Sequence, residues 1–335
     1  MQRDGIIYIE SSNTKLSLSN NNLIILKEDN TYEINLDSLE ILVIQGNTTI
    51  TTNILLELLS NNIRIVFLGY YGNYKNALNP DIKGNVLVRH TQYKISDTLE
   101  GFKIGKEMIL GKIHNQISVL NRQIRNYGQN EIVQKSILEM QKLEEYAKIS
   151  LGITQLQGYE GKIAEEYFKS FNELIRNKEF NFNGRSHKPP LDEVNSLLSY
   201  GYTLLRIEIE KDIGICGLDP NVGFIHSIRS GKPSLALDIM EEFRFIIDRL
   251  VLNMINQKEV SIDEFEKLES GAVYCNKRAR EIVIRDWESK KRSIIQFENK
   301  KITYRDLIFN QVRLLVRAIK GEDVYKSYKW KWLIG

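Results

Sequence analysis

The chain has 335 residues, 42% hydrophobic and 27% charged, an ordinary globular composition with room for two domains. No apolar run reaches the ~20 residues of a membrane span, no signal peptide opens the chain, and two isolated cysteines, Cys216 and Cys275, fit neither a disulfide framework nor a zinc motif; the expected location is the cytoplasm. A net charge of +3 does not mark the whole chain as a polyanion binder, but the last 64 residues hold 16 Lys and Arg against 7 Asp and Glu, as a phosphate-binding face or a solvated helical surface would.

Residues 1–80 read as a β-rich domain. Short runs from Gly5 to Glu10, Lys15 to Leu18, Leu23 to Leu26, Tyr32 to Ile34 and Leu39 to Ile44 are separated by Asn, Ser and Asp clusters, the punctuation of strands and turns. Thr51 to Leu59 reads as a short helix and Ile63 to Leu68 as a buried strand. Tyr70, Tyr71 and Tyr74 follow in a Gly-rich turn, where rings can pack or stack on bases. Residues 81–92 read as a linker, and 93–335 as a larger all-helical domain that would carry catalysis and DNA binding. The fold class is α+β, a small β-rich domain followed by a helical one.

Helical periods dominate from about Ser96. Phe102 to Arg125 alternates apolar and basic positions, and Glu131 to Ile149 repeats the style. A helix beginning at Glu160 carries Ile163, Ala164, Tyr167, Phe168, Phe171 and Leu174 at i, i+3, i+4 spacing, with Glu160 in the middle of that face. A loop bearing Arg185, His187 and Lys188, candidate phosphate contacts, runs into a Pro-Pro stop and a helix from Asp192 to Lys211. The turn from Gly217 to His226 then delivers one histidine. Pro233 opens a helix, reaching Ile255, that is apolar almost all round, the pattern of a buried element. Its acids Asp238, Glu241, Glu242 and Asp248 fall within about a third of the circumference, and buried like charges need a cation or a proton beside them.

Glu160, His226 and Glu241 together make a candidate metal site of two carboxylates and one imidazole. Such an oxygen-rich set suits Mg²⁺ or Mn²⁺, with the histidine favouring Mn²⁺. Arg244, one turn beyond Glu241, is placed to hold a phosphate. The same residues are equally compatible with Glu160 paired to an arginine, His226 satisfied within its loop and the acids lining a solvated groove.

Four runs, in order, resemble those of the CRISPR-associated spacer-acquisition integrases: Glu160 to Phe168, Lys188 to Tyr202, Gly217 to His226, and Ser234 to Arg244. The likeness extends to the β-rich start and to Gly271–Tyr274 and Tyr304–Arg313. This resemblance implies Glu160, His226 and Glu241 as metal ligands, Asp238 as an acid near the metal, and Tyr200 near the reacting phosphodiester. It also implies the activity: a metal-dependent DNA endonuclease and integrase that inserts short foreign fragments into a CRISPR array by 3′-hydroxyl attack on a phosphodiester. The implied partners are double-stranded DNA (the fragments and the repeat beside its leader), a second copy of the chain joined largely through the β-rich domain, and a small ferredoxin-like adaptation protein. Without the resemblance, a stand-alone nuclease acting on branched DNA in repair and a non-catalytic DNA-binding module remain open.

Overall fold

The computed structural model describes residues 5–10, 14–27, 30–80, 85–186, 188–226, 231–298 and 300–331. They form two compact units, residues 1–84 and 85–335.

In the first unit, β1 (Gly5–Glu10) is followed by a meander of β2 (Lys15–Ser19), β3 (Asn22–Lys27) and β4 (Asn30–Asn35), and then by β5 (Leu39–Gln45). Helix α1 (Thr52–Ser60), whose N-cap Thr51 accepts from the Ile54 amide, leads to β6 (Arg64–Leu68) and β7 (Tyr74–Leu78). β2, β3 and β4 form one antiparallel sheet; the other has the order β1-β5-β6-β7, parallel except for the last pair. Leu23, Leu39, Leu42, Leu58, Ile63 and Ile65 fill the core between them. Strand β7 is a departure from the sequence reading. The turn before it closes with the Gly69 amide bonded to the Asn73 carbonyl, so residues 76–78 continue as a strand paired to β6. The Tyr70 and Tyr71 rings pack edge to face.

The second unit is built on helices: α2 (Val86–Ile95), α3 (Leu99–Tyr127), α4 (Glu131–Lys148), α5 (Ile153–Glu173), α6 (Glu193–Ile215), α7 (Ser234–Asn256), α8 (Lys277–Arg292) and α9 (Tyr304–Ile319). Two short ladders interrupt them, β8 (Phe265–Lys267) with β9 (Val273–Cys275), and β10 (Ile294–Phe297) with β11 (Lys300–Thr303). Residues 86–92, read from sequence as linker, lie in α2, and residues 81–84 lie outside the described residues. Helix α5 starts at Ile153 rather than at Glu160. Ile153 and Leu156 extend the apolar period of Ile163 backward, but Gln155, Gln157 and Gly158 dilute it, and packing against α4 and α3 overrides that weak local signal.

Side-chain oxygens at Thr98, Asn130, Asp192 and Asn276 accept the free amides at the starts of α3, α4, α6 and α8, which fixes where each helix begins. Helix α7 lies against both α3 and α6, and its apolar positions are almost all under 3% exposed. Gly201 lets α6 approach: a Cβ there would meet Ile247 Cγ2 at 2.5 Å. Among the described residues no helix is long and apolar enough to cross a membrane.

Candidate active site

The four acids of α7 are all buried, Asp238 at 1% exposure, Glu241 at 4%, and Glu242 and Asp248 at 0%. An unpaired carboxylate at such depth is strongly disfavoured, so each partner set is informative. They differ in kind.

Glu241 is held by cations. Arg244 Nη2 lies 2.9 Å from its Oε1 and Lys112 Nζ, from α3, 2.8 Å from its Oε2. Lys112 also ion-pairs with Glu160 Oε1 from α5, so two carboxylates from two helices converge on one ammonium. Burial would raise the Glu241 carboxyl, but Arg244 and Lys112 outweigh it and hold it far below the usual carboxylate range. Burial likewise acts to lower the Lys112 ammonium, and Glu241 with Glu160 keeps it above its ordinary value. Lys112 sits off the hydrogen-bonding direction of Glu241 Oε2, which is buried without a hydrogen bond among the described residues. Arg244 Nε is in the same condition.

His226 stands at the end of its turn with Nδ1 2.6 Å from Asp238 Oδ1. The same carboxylate accepts the backbone amides of Phe224, Ile225 and His226 at 2.5, 3.0 and 3.0 Å. Asp238 therefore pins the turn to α7 and orients the imidazole, leaving Nε2 as the free ring nitrogen. Gly223 is required for that approach, since a Cβ there would come within 2.5 Å of Asp238 Oδ2. Residues 227–230, which follow, and His187 lie outside the described residues. The structure thus brings Glu160 and Glu241 together around Lys112. His226 adds a nearby positive influence on Glu241, but among the described residues no three His, Cys, Asp or Glu side chains are clustered within reach of one metal ion.

Asp248 is held by neutral donors, Tyr167 Oη at 2.8 Å and Tyr202 Oη at 2.5 Å, and burial pushes its carboxyl up to about 6. The Tyr202 ring has Arg244 4.7 Å and Arg185 5.5 Å from its centroid, a cation–π arrangement that holds both guanidinium groups without neutralising them. Arg185 also donates to Ser186 O, to Asn195 Oδ1 at 2.7 Å and to Ser199 Oγ at 3.1 Å, which ties the loop to α6. Lys188 is exposed, and Tyr200 is 4% exposed inside α6.

Glu242, next to Glu241, faces the other way. It accepts from Tyr325 Oη, from Gln311 Nε2 at 2.9 Å and from the Tyr328 amide at 2.8 Å. Burial pushes its carboxyl up to about 7. Asn115 of α3 completes this clasp: its amide donates to the carbonyls of Glu242 and Tyr328 and its oxygen accepts the Trp330 amide. The segment 325–330 is thereby laid along α3 and α7. Trp330 lies under the guanidinium groups of Arg249 at 4.2 Å and Arg122 at 5.4 Å. Lys290 stands over Tyr304 at 4.5 Å, and burial with Arg249 and Arg122 nearby lowers its ammonium to about 8. None of these three cations forms an ion pair among the described residues.

Sequence reasoning missed Lys112 and the clasp. Lys112 follows Met108 by four and Ile109 by three, on the apolar side of α3, where a lysine requires an acid; that spacing was the available signal. For the clasp it was the alternation of Tyr325, Tyr328 and Trp330 with lysines, a pattern unlike an ordinary solvated tail.

Comparison with known proteins shows the family. A protein of Rhodospirillum rubrum described as "CRISPR-associated endonuclease Cas1 2" is 35% identical over 302 residues, 86% of this chain and 87% of its own length. "CRISPR-associated endonuclease Cas1 3" of Thermus thermophilus is 33% identical over 327 residues, 95% of each. Among solved structures, a casposase bound to integration product superposes with a TM-score of 0.86 at 22% identity, covering 97% of this chain and 94% of that one. A Cas1 protein from Thermotoga maritima gives 0.84 at 22% identity, covering 97% and 100%. Residues 7–289 match the family described as "CRISPR associated protein Cas1", and the chain belongs to that family.

Proposed function

We propose that this protein is a DNA endonuclease and integrase of CRISPR adaptation, which joins the 3′ hydroxyl of a short DNA fragment to a phosphodiester of the array. The observation that carries this reading is the convergence of Glu160 and Glu241 on one buried cation position, beside an arginine whose Nε has no acceptor among the described residues, in a chain whose relatives are described as endonucleases.

The pair of carboxylates fits a divalent ion that keeps water among its ligands. Two carboxylates meet at a point that already holds positive charge, and one buried oxygen of Glu241 has no hydrogen bond. Glu160, Glu241 and His226 would hold Mg²⁺ or Mn²⁺, and the bound ion would supply Lewis acidity at the attacked phosphate. The protein's own contributions are distinct. Asp238 fixes the His226 ring through Nδ1, so Nε2 is the nitrogen that would face a bound ion. Arg244, held on one side by Glu241 and braced on Tyr202, directs its remaining N–H groups to a phosphate oxygen. Tyr200 donates a hydrogen bond near the strand end, and Lys188 contacts the backbone from the loop. Arg185 positions that loop.

Arg122 of α3, Arg249 of α7 and Lys290 of α8 form a second basic locus around Trp330 and Tyr304. Arg249 is eight residues beyond Glu241, ~12 Å along α7, a span suited to phosphates a few nucleotides from the reacting bond. The β-rich unit pairs two copies of the chain, and a small ferredoxin-like adaptation protein joins them. A structure that superposes at a TM-score of 0.87 is itself described as a Cas6-RT-Cas1–Cas2 complex, of which this chain covers 37% of the matched chain.

The test is a strand-transfer assay with a short duplex bearing free 3′ hydroxyls, a supercoiled plasmid carrying a repeat array, the partner protein and Mg²⁺ or Mn²⁺. Joining by wild type that disappears in Glu160→Ala and His226→Ala supports the reading. Cutting without joining points to a repair nuclease, and DNA binding with neither reaction points to a non-catalytic module.

A further inference from the structure

Lys112 gives the carboxylate pair a positive charge from the chain itself. It is on the apolar side of a long helix, and its side chain is 9% exposed. A lysine so placed ordinarily turns its ammonium out to water. Here the ammonium stays inside because Glu160 Oε1 and Glu241 Oε2 both lie against it. The same two side chains are the acids that a divalent ion would need. The ammonium lies against both carboxylates at once, in the space between them that a divalent ion held by the same pair would need, so the two cations compete for one position. In an interior poor in water their repulsion is also weakly screened.

The two cations on Glu241 are not equivalent. Arg244 holds Oε1 by a hydrogen bond and is braced by the Tyr202 ring. Lys112 touches Oε2 off the hydrogen-bonding direction and has a flexible four-carbon stem. Arg244 is therefore the fixed partner and Lys112 the exchangeable one.

We propose that Lys112 is the internal counter-ion of the metal site: a divalent ion enters by displacing its ammonium from Glu160 and Glu241, so that this lysine sets metal affinity and holds the two carboxylates together between loading events. The proposal rests on the metal-site reading given above, and its test separates the two.

Mn²⁺ binding to the full chain, followed by the electron paramagnetic resonance of free Mn²⁺, is compared for wild type, Lys112→Met, Lys112→Arg and Glu160→Ala. Lys112→Met is expected to bind Mn²⁺ about tenfold more tightly than wild type, a gain of ~1.4 kcal/mol. Lys112→Arg, which keeps the charge, is expected to bind no more tightly than wild type. In parallel, wild-type protein is treated with an amine-reactive acylating reagent, and modification of Lys112 is followed by mass spectrometry with and without Mn²⁺. Faster modification with Mn²⁺ is expected, because the ammonium has left its carboxylates. Equal or weaker Mn²⁺ binding by folded Lys112→Met overturns the proposal, as does modification that Mn²⁺ leaves unchanged or slows. The acylation arm decides if Lys112→Met does not fold. Mn²⁺ binding that survives in Glu160→Ala defeats the metal-site reading itself, and the proposal with it.

Discussion

Glu241 and Glu242 are consecutive residues on one buried helix, equally removed from water, and their surroundings drive them in opposite directions. On one side Arg244 and Lys112 keep Glu241 ionised far below the ordinary range. On the other, a phenol, an amide side chain and a backbone N–H satisfy Glu242, and burial raises it to about 7. The lesson is that burial does not set the charge of an acid; the kind of partner does. Cations make a carboxylate that can attract a metal, whereas neutral donors make one that can lock a chain segment.

The largest break in this comparison is on the Glu241 side. Glu241→Gln keeps shape but removes the charge, so strand transfer is expected to fall to the level of a no-enzyme control, while circular dichroism reports a folded protein. On the Glu242 side, Glu242→Ala is expected to leave activity per folded molecule intact but to cost about 3 kcal/mol in urea denaturation, as buried donors lose their acceptor at ~1–3 kcal/mol each.

A sharper contrast comes from pH. An acid whose folded pKa is raised binds its proton more tightly when folded, so its stabilising effect is full below the unfolded value. That effect is lost as pH rises toward the folded value, here between 4.5 and about 7. Glu242→Gln should remove this loss: relative to wild type it gains stability between pH 5 and pH 8, on the order of 3 kcal/mol at most. A pH-independent difference between the two proteins would contradict the assigned environment. Tyr202→Phe removes one of two donors from Asp248 and is expected to cost about 2 kcal/mol, read as a lower midpoint of thermal unfolding. The smallest effect is expected at the second basic locus, where Lys290→Ala should lower the slope of log affinity for duplex DNA against log salt by about 0.9. An unchanged slope would remove Lys290 from the DNA-binding surface.

Much of this arrangement was legible in the sequence. The all-round apolar pattern from Pro233 to Ile255 marked α7 as buried, and its acids as requiring partners. The core-facing position of Glu160 marked a second acid with the same need. The positive partner of Glu160 was expected to be a metal or an arginine; the protein side chain that meets it is Lys112, 48 residues upstream. Local spacing places a lysine on a helix face, but only the packing of α3 against α5 and α7 says which acids it meets. Strand β7 escaped for a related reason. Tyr74-Lys75-Asn76-Ala77-Leu78 has a weak strand propensity, and its structure comes from the β6 edge it pairs with. For the clasp, the spacing of Tyr325, Tyr328 and Trp330 among lysines marked an unusual tail but not the distant groups that its residues meet.

That distance has a consequence for how the molecule is made. Asn115 meets the amide of Trp330, 215 residues later, and at ~5–20 residues per second of synthesis the two are produced about 10 to 40 s apart. Throughout that interval the middle of α3 lacks its final hydrogen-bonding partners, and so does the Glu242 side of α7 once that helix is made. A nascent chain stalled before Tyr325 would therefore expose a polar seam between two otherwise apolar helices, a natural point of attack for quality-control proteases on incomplete copies.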